Sequence, residues 1–255
     1  MIRDTLILAK RTVTKMFRNP EQFIDVTVQP IIMTVIFVFI FGGAISGSTG
    51  KYVEFALPGI IVQTIMFTSL TIGVNLNTDI QKGIFDRFRS LPIARSAPLF
   101  GAVLGDIVRH SIAIGVTLVF GAIIGFEFKT PWWHVAIAVI VIIAFAMSLC
   151  WASVLIGMLA RSSGAVQGIS FLIVFPLTFG SSTFVPASTL PTWLQGWVSI
   201  NPVTHVIESM RGLLTGSTDV AGDTLTGQLL WVMGSCIVLF AVFFPLATWA
   251  YRRKI

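Results

Sequence analysis

The chain has 255 residues, 55% of them hydrophobic and 11% charged, with a formal net charge of +6. A soluble globular domain carries roughly a quarter charged residues, so a water-soluble fold gives way to a membrane-inserted one. In such a chain a basic excess reflects loops that set orientation, and it does not point to nucleic acid.

Residues 1–23 hold too many charges to supply the apolar stretch of a cleavable leader. Leu6, Ile7, Lys10, Val13, Met16 and Phe17 instead mark an amphipathic helix lying on the membrane surface, ended by Arg18-Asn19-Pro20. A crossing needs about 20 mostly apolar residues, and six stretches qualify. They are 26–45, 52–76, 99–126, 132–159, 165–184 and 228–249. The fold class is therefore all-α, a single membrane domain of six transmembrane helices. Lys and Arg concentrate at 3–18, 82–95, 161 and 252–254, against Lys51, Lys129 and Arg211 on the other side. That asymmetry places both termini in the cytoplasm.

Two connections stand out. The polar stretch 79–95 carries Lys82, Arg87, Arg89 and Arg95, yet Ile84, Phe85 and Phe88 interrupt it at helical spacing. A mere joining loop needs no such aromatics. Residues 186–216 hold Pro186, Pro191, Pro202, Trp193 and Trp197 in runs too short to span. They read as two short re-entrant helices before the last span. Asn201-Pro202 supplies a cap and first-turn proline to the second, and Glu208 pairs with Arg211 on its polar side.

No chemistry-bearing motif emerges. Around Gly47–Tyr52, Ile45 and Tyr52 break the Walker A pattern GxxxxGK[ST]. His110, His134 and His205 are scattered, and Cys150 and Cys236 lie in apolar runs as small buried residues with no disulfide. No catalytic, cofactor or metal residue is expected, and the chain is not an enzyme. Asp106 and Arg109 form an intramembrane charge pair at i, i+3; local neutralisation or snorkelling explains them, and so does a lock to another helix or a proton relay. Phe37, Phe39 and Phe41, and Phe171, Phe175 and Phe179 at i, i+4, i+8, either face lipid or, with Met33, line an apolar route. GxxxG spacings at Gly43/Gly47, Gly101/Gly105, Gly121/Gly125 and Gly164/Gly168 suit helix packing within the chain or between subunits.

Three features together carry a resemblance. They are the amphipathic start ending Arg18-Asn19-Pro20, the stretch Gly83-Ile84-Phe85-Asp86-Arg87-Phe88-Arg89-Ser90-Leu91-Pro92, and Asn201-Pro202-Val203-Thr204 before the last span. The chain resembles the type-2 ABC exporter permeases along nearly its whole length, most closely the daunorubicin-resistance permease branch. The resemblance implies a dimer, homo- or heteromeric, seated on separate ATPase subunits that hold the ATP and Mg. Residues 79–95 then become the coupling segment. Ile84, Phe85, Asp86, Arg87, Phe88 and Arg89 contact the ATPase, with Phe85 and Phe88 as apolar anchors. The cargo is a hydrophobic or amphipathic compound, a drug or antibiotic or else a lipid or glycolipid, moved out across a bacterial plasma membrane. The alternative is a stand-alone secondary carrier or channel. It needs ionisable groups in the spans or inverted repeats, and only Asp106/Arg109 answer to that.

Overall fold

The computed structural model describes residues 2–43, 49–85, 96–217 and 224–254, and every regular element among them is helical. The first helix, α1 (Ile2–Arg18), ends where expected. Asn19 then caps the next helix by accepting from the Glu21 amide at 3.2 Å, and Pro20 opens it. This helix, α2 (Pro20–Val35), starts ahead of the expected Val26 and so takes Glu21, Gln22 and Asp25 into its length. It runs on into a π-helical segment, Ile36–Phe41.

The central helix is α3 (Thr49–Gln81), whose Tyr52, Leu57, Ile60, Ile61 and Ile65 are buried. It runs past the expected end at Leu76. Asn77 is the reason: its amide donates to the Gly157 and Ala160 carbonyls at 2.9 Å, which ties the polar end of α3 to a neighbour. Next come α4 (Ala97–Ile123), α5 (Trp132–Leu159) and α6 (Ser163–Phe179). A 3₁₀ turn at Ala187–Thr189 leads to α7 (Thr192–Ile200), α8 (Pro202–Thr215) and α9 (Leu225–Lys254). Among the described residues, five helical stretches are long and apolar enough to cross a membrane: Pro20–Ile40, Tyr52–Gln81, Ala97–Ile123, Trp132–Leu159 and Leu225–Arg253. At 17 residues α6 is shorter than the predicted 165–184 span. Its carbonyls are taken up early, since the Asn201 amide donates to Leu177 and Gly180 oxygens at 2.8 and 3.0 Å. Asn201 also caps α8. Asn201→Ala removes the cap and strands two carbonyls, and is expected to cost about 2 kcal/mol, read as a lower melting temperature in detergent.

Small residues set the closest crossings. A side chain on Gly73 of α3 would lie 2.3 Å from the Ser153 carbonyl oxygen of α5, and one on Gly157 would meet the Gly73 carbonyl oxygen at 2.5 Å. The Gly101/Gly105 pair seats α1, whose Leu8 and Thr12 carbons would come within 2.6 Å of an added Cβ. Gly164 and Gly168 instead face open space, while Gly47 lies outside the described residues. Both chain ends meet the same end of the bundle: α1 packs on α4, and Tyr251 of α9 packs on Phe85 just beyond α3.

Candidate functional site

Three polar or aromatic constellations organise the bundle. The first lies at the basic end, where α1 to α4 converge. Lys15 donates to Asp79 at 3.0 Å, and Arg11 approaches the other oxygen at 3.5 Å. Arg109 lies 3.5 Å from Asp106, and both are 2% exposed, so neither snorkels. Arg109 also donates to Gln22 at 3.2 Å, and Gln22 donates to Asn75 at 3.3 Å. The pair thus reaches α2 and α3. A small cavity of about 40 Å³ between these helices is bordered by Asp79, Asp106 and Arg109.

At this end the predicted contact segment begins. Gly83, at φ +66°, takes the left-handed conformation that ends α3. The chain folds back, and Phe85 turns inward onto Tyr251, edge to face at 5.8 Å, only 5% exposed. The Gly83 reversal delivers the Phe85 ring to the chain's own core, where the sequence reading has it as an anchor offered to a partner. Ile84 is half-buried. Asp86, Arg87, Phe88 and Arg89 lie outside the described residues.

The second constellation is a groove of about 540 Å³ between α2, α3 and α6. Phe171, Phe175 and Phe179 form one wall, stacked in sequence at 5.3 and 4.3 Å, with Phe67 and Met33 beside them. Gln29, Gln63, Thr64, Thr68 and Gln167 supply polar surface, and Asp25 is the charged residue of the lining. The buried Gln63 Oε1 has no hydrogen-bond partner among the described residues. Four of the seven residues read as an apolar route, Met33, Phe171, Phe175 and Phe179, therefore share one groove. Phe37 lies apart, stacked on Phe184 at 3.8 Å, and nothing of the Phe41 side chain is described. Asp25 and Gln63 escaped the sequence reading because α2 starts early and a single Gln in an apolar helix carries no spacing signal.

The third constellation fixes the opposite end. Every residue of α8 from Val203 to Thr215 is buried, which corrects the placing of Glu208 and Arg211 on a polar face. They do pair, but inside. Ser182 donates to Glu208 at 2.8 Å, and Arg211 donates to the Phe55 and Ser182 carbonyls at 3.2 Å while lying over the Phe55 ring. α8 is thereby bound to α3 and to the turn after α6.

Residues 3–215 match the family described as ABC-2 type transporter. The chain belongs to the ABC-2 transporter family. A daunorubicin resistance ABC transporter permease of Streptomyces coeruleorubidus is 38% identical over 92% of this chain and 81% of its own length. A probable doxorubicin resistance ABC transporter permease of Mycobacterium tuberculosis is 26% identical over 99% of this chain and 89% of its own. An inner membrane transport permease of Escherichia coli is 23% identical over 91% and 89% respectively. The resemblance drawn from the residues is met, and with its apolar helices this ABC-2 chain is a multi-pass membrane protein.

Proposed function

We propose that this chain is the membrane-spanning subunit of an ATP-driven exporter for amphipathic compounds in a bacterial plasma membrane. The observation that carries the cargo class is the two-sided groove. An aromatic wall of Phe171, Phe175 and Phe179 suits a flat apolar body, and the unpartnered Gln63 Oε1 opposite suits a hydrogen-bond donor. The relatives named for daunorubicin and doxorubicin resistance favour a drug over a lipid or glycolipid.

In this reading two copies of the chain, or this chain and a related one, sit on separate ATPase subunits that hold ATP and Mg. The basic end faces the cytoplasm, so both termini do, and α6 completes six crossings with α7 and α8 as re-entrant helices at the outer face. Ile84, Asp86, Arg87, Phe88 and Arg89 meet the ATPase. Phe85 relays their displacement to α9 through Tyr251. Asp106 and Arg109 lock α4 to α2 through Gln22.

The test uses the complex of this chain with its ATPase in vesicles. Phe171→Ala/Phe175→Ala is expected to raise the daunorubicin concentration needed for half-maximal ATP-dependent uptake roughly tenfold, the loss of two aromatic contacts. Unchanged concentration dependence removes the groove as the cargo route. Gradient-driven flux by this chain alone, without ATPase, replaces the exporter with a stand-alone carrier or channel.

A further inference from the structure

Behind the charge pair lies a cluster that sequence spacing did not reveal. His110, one turn after Asp106 on α4, places its Nε2 3.5 Å from the Cys150 sulfur of α5. One ligand-type atom from each of Asp106, His110 and Cys150 falls within 4.8 Å of the others, and all three residues are buried. Two polar atoms in this cluster have no hydrogen-bond partner among the described residues: Asp106 Oδ2 and His110 Nδ1.

We propose that His110 and Cys150 form a binding site for a monovalent thiophilic metal ion, copper(I) or silver(I). The ligand set is an imidazole and a thiol, the pairing that soft d¹⁰ ions select. The two atoms stand 3.5 Å apart. Bonds of about 2.3 and 2.0 Å held in line by a two-coordinate ion span about 4.3 Å, so the side chains part by about 0.8 Å to admit it.

Charge decides the valence. Asp106 and Arg109 balance one another in a place where a net charge is costly. The ion enters as the Cys150 thiol proton leaves, so the thiolate takes up the positive charge and the site stays neutral. A divalent ion would leave one positive charge unmatched beside Arg109. The His110 lone pair at Nε2 completes the second bond, and its ring proton rests on Nδ1. A metal-bound histidine characteristically uses a carboxylate as the partner of its other ring nitrogen, and Asp106 Oδ2, unbonded in this structure, lies in the same cluster. The displaced proton leaves past Asp106, which borders the small cavity shared with Lys15 and Asp79. Such an ion ties α4 to α5 across the middle of the chain.

The test is silver(I) and copper(I) titration of the purified full chain in detergent, followed by ultraviolet thiolate-to-metal absorption and by competition with a chromophoric copper(I) chelator. Wild type is expected to bind one ion per chain and to melt at a higher temperature with silver. Cys150→Ser is expected to weaken binding at least a hundredfold and to lose the silver-dependent shift. His110→Gln, kept as a second variant should Cys150→Ser fold poorly, is expected to weaken it at least tenfold. Cys236→Ser is expected to bind as wild type. Absence of binding by wild type overturns the proposal, as does silver binding that survives Cys150→Ser or disappears in Cys236→Ser. Zinc(II) binding as tight as silver(I) overturns the assignment of valence.

Discussion

Glu208→Gln, or Arg211→Met, is expected to lower the melting temperature of the detergent-solubilised chain by roughly 10 °C, from a loss of about 3–5 kcal/mol. The cause is the burial of the pair. The Glu208 side chain is fully buried and that of Arg211 is 4% exposed. Removing either leaves the other charge in a dry setting, where Ser182, the Phe55 carbonyl and the Phe55 ring compensate in part. The double variant Glu208→Met/Arg211→Met removes both charges together, and is expected to recover at least half of the loss. The pattern of singles and double separates an ion pair from ordinary packing. Single variants that melt with the wild type would show that the pair does not hold α8 in place.

The second large effect concerns the crossing of α3 and α5. Gly73→Val places a branched side chain where a bare Cβ already stands 2.3 Å from the Ser153 carbonyl oxygen, a backbone atom that cannot rotate away. The same contact carries two hydrogen bonds, from the Gly73 amide to Ser153 Oγ at 3.2 Å and from that hydroxyl to the Leu70 carbonyl at 3.0 Å. Forcing the helices apart breaks both. A cost of about 3 kcal/mol is expected, read as a fall in monodisperse protein on size-exclusion chromatography and an earlier melt. Gly164→Ala, on a glycine that faces open space, is expected to stay within about 0.5 kcal/mol of wild type. A reversal of that order would contradict the crossing described for α3 and α5.

The long apolar helices were legible because their signal is local. Twenty consecutive apolar residues need no partner to be recognised, and Trp132–Leu159 was placed to the residue. The cap at Asn201-Pro202 was legible for the same reason, since a cap acts within three residues, whereas Asn19-Pro20 reads in the sequence as the end of α1 and not as the start of α2. What escaped depends on distant parts of the chain. The end of α6 is set by Asn201, more than twenty positions away. The inward turn of Phe85 is set by Tyr251, and the depth of α8 by Phe55 and Ser182. His110 and Cys150 come together only because two helices cross. The groove was half legible: the Phe171/Phe175/Phe179 stripe stands at helical spacing, but its polar side comes from single residues on other helices.

The π-helical stretch Ile36–Phe41 has a consequence for chain length. A bulge of this kind absorbs one residue more than the same rise of α-helix holds, while the turns on either side keep their phase. Elsewhere in a helix, dropping a single residue rotates everything beyond it by about 100° and carries an inward face outward. Within Ile36–Phe41 the same deletion relaxes the stretch to ordinary α-helix, and Asp25, Gln29 and Met33 keep facing the groove. The first span can therefore lose a residue at this point without turning its groove-lining side chains away.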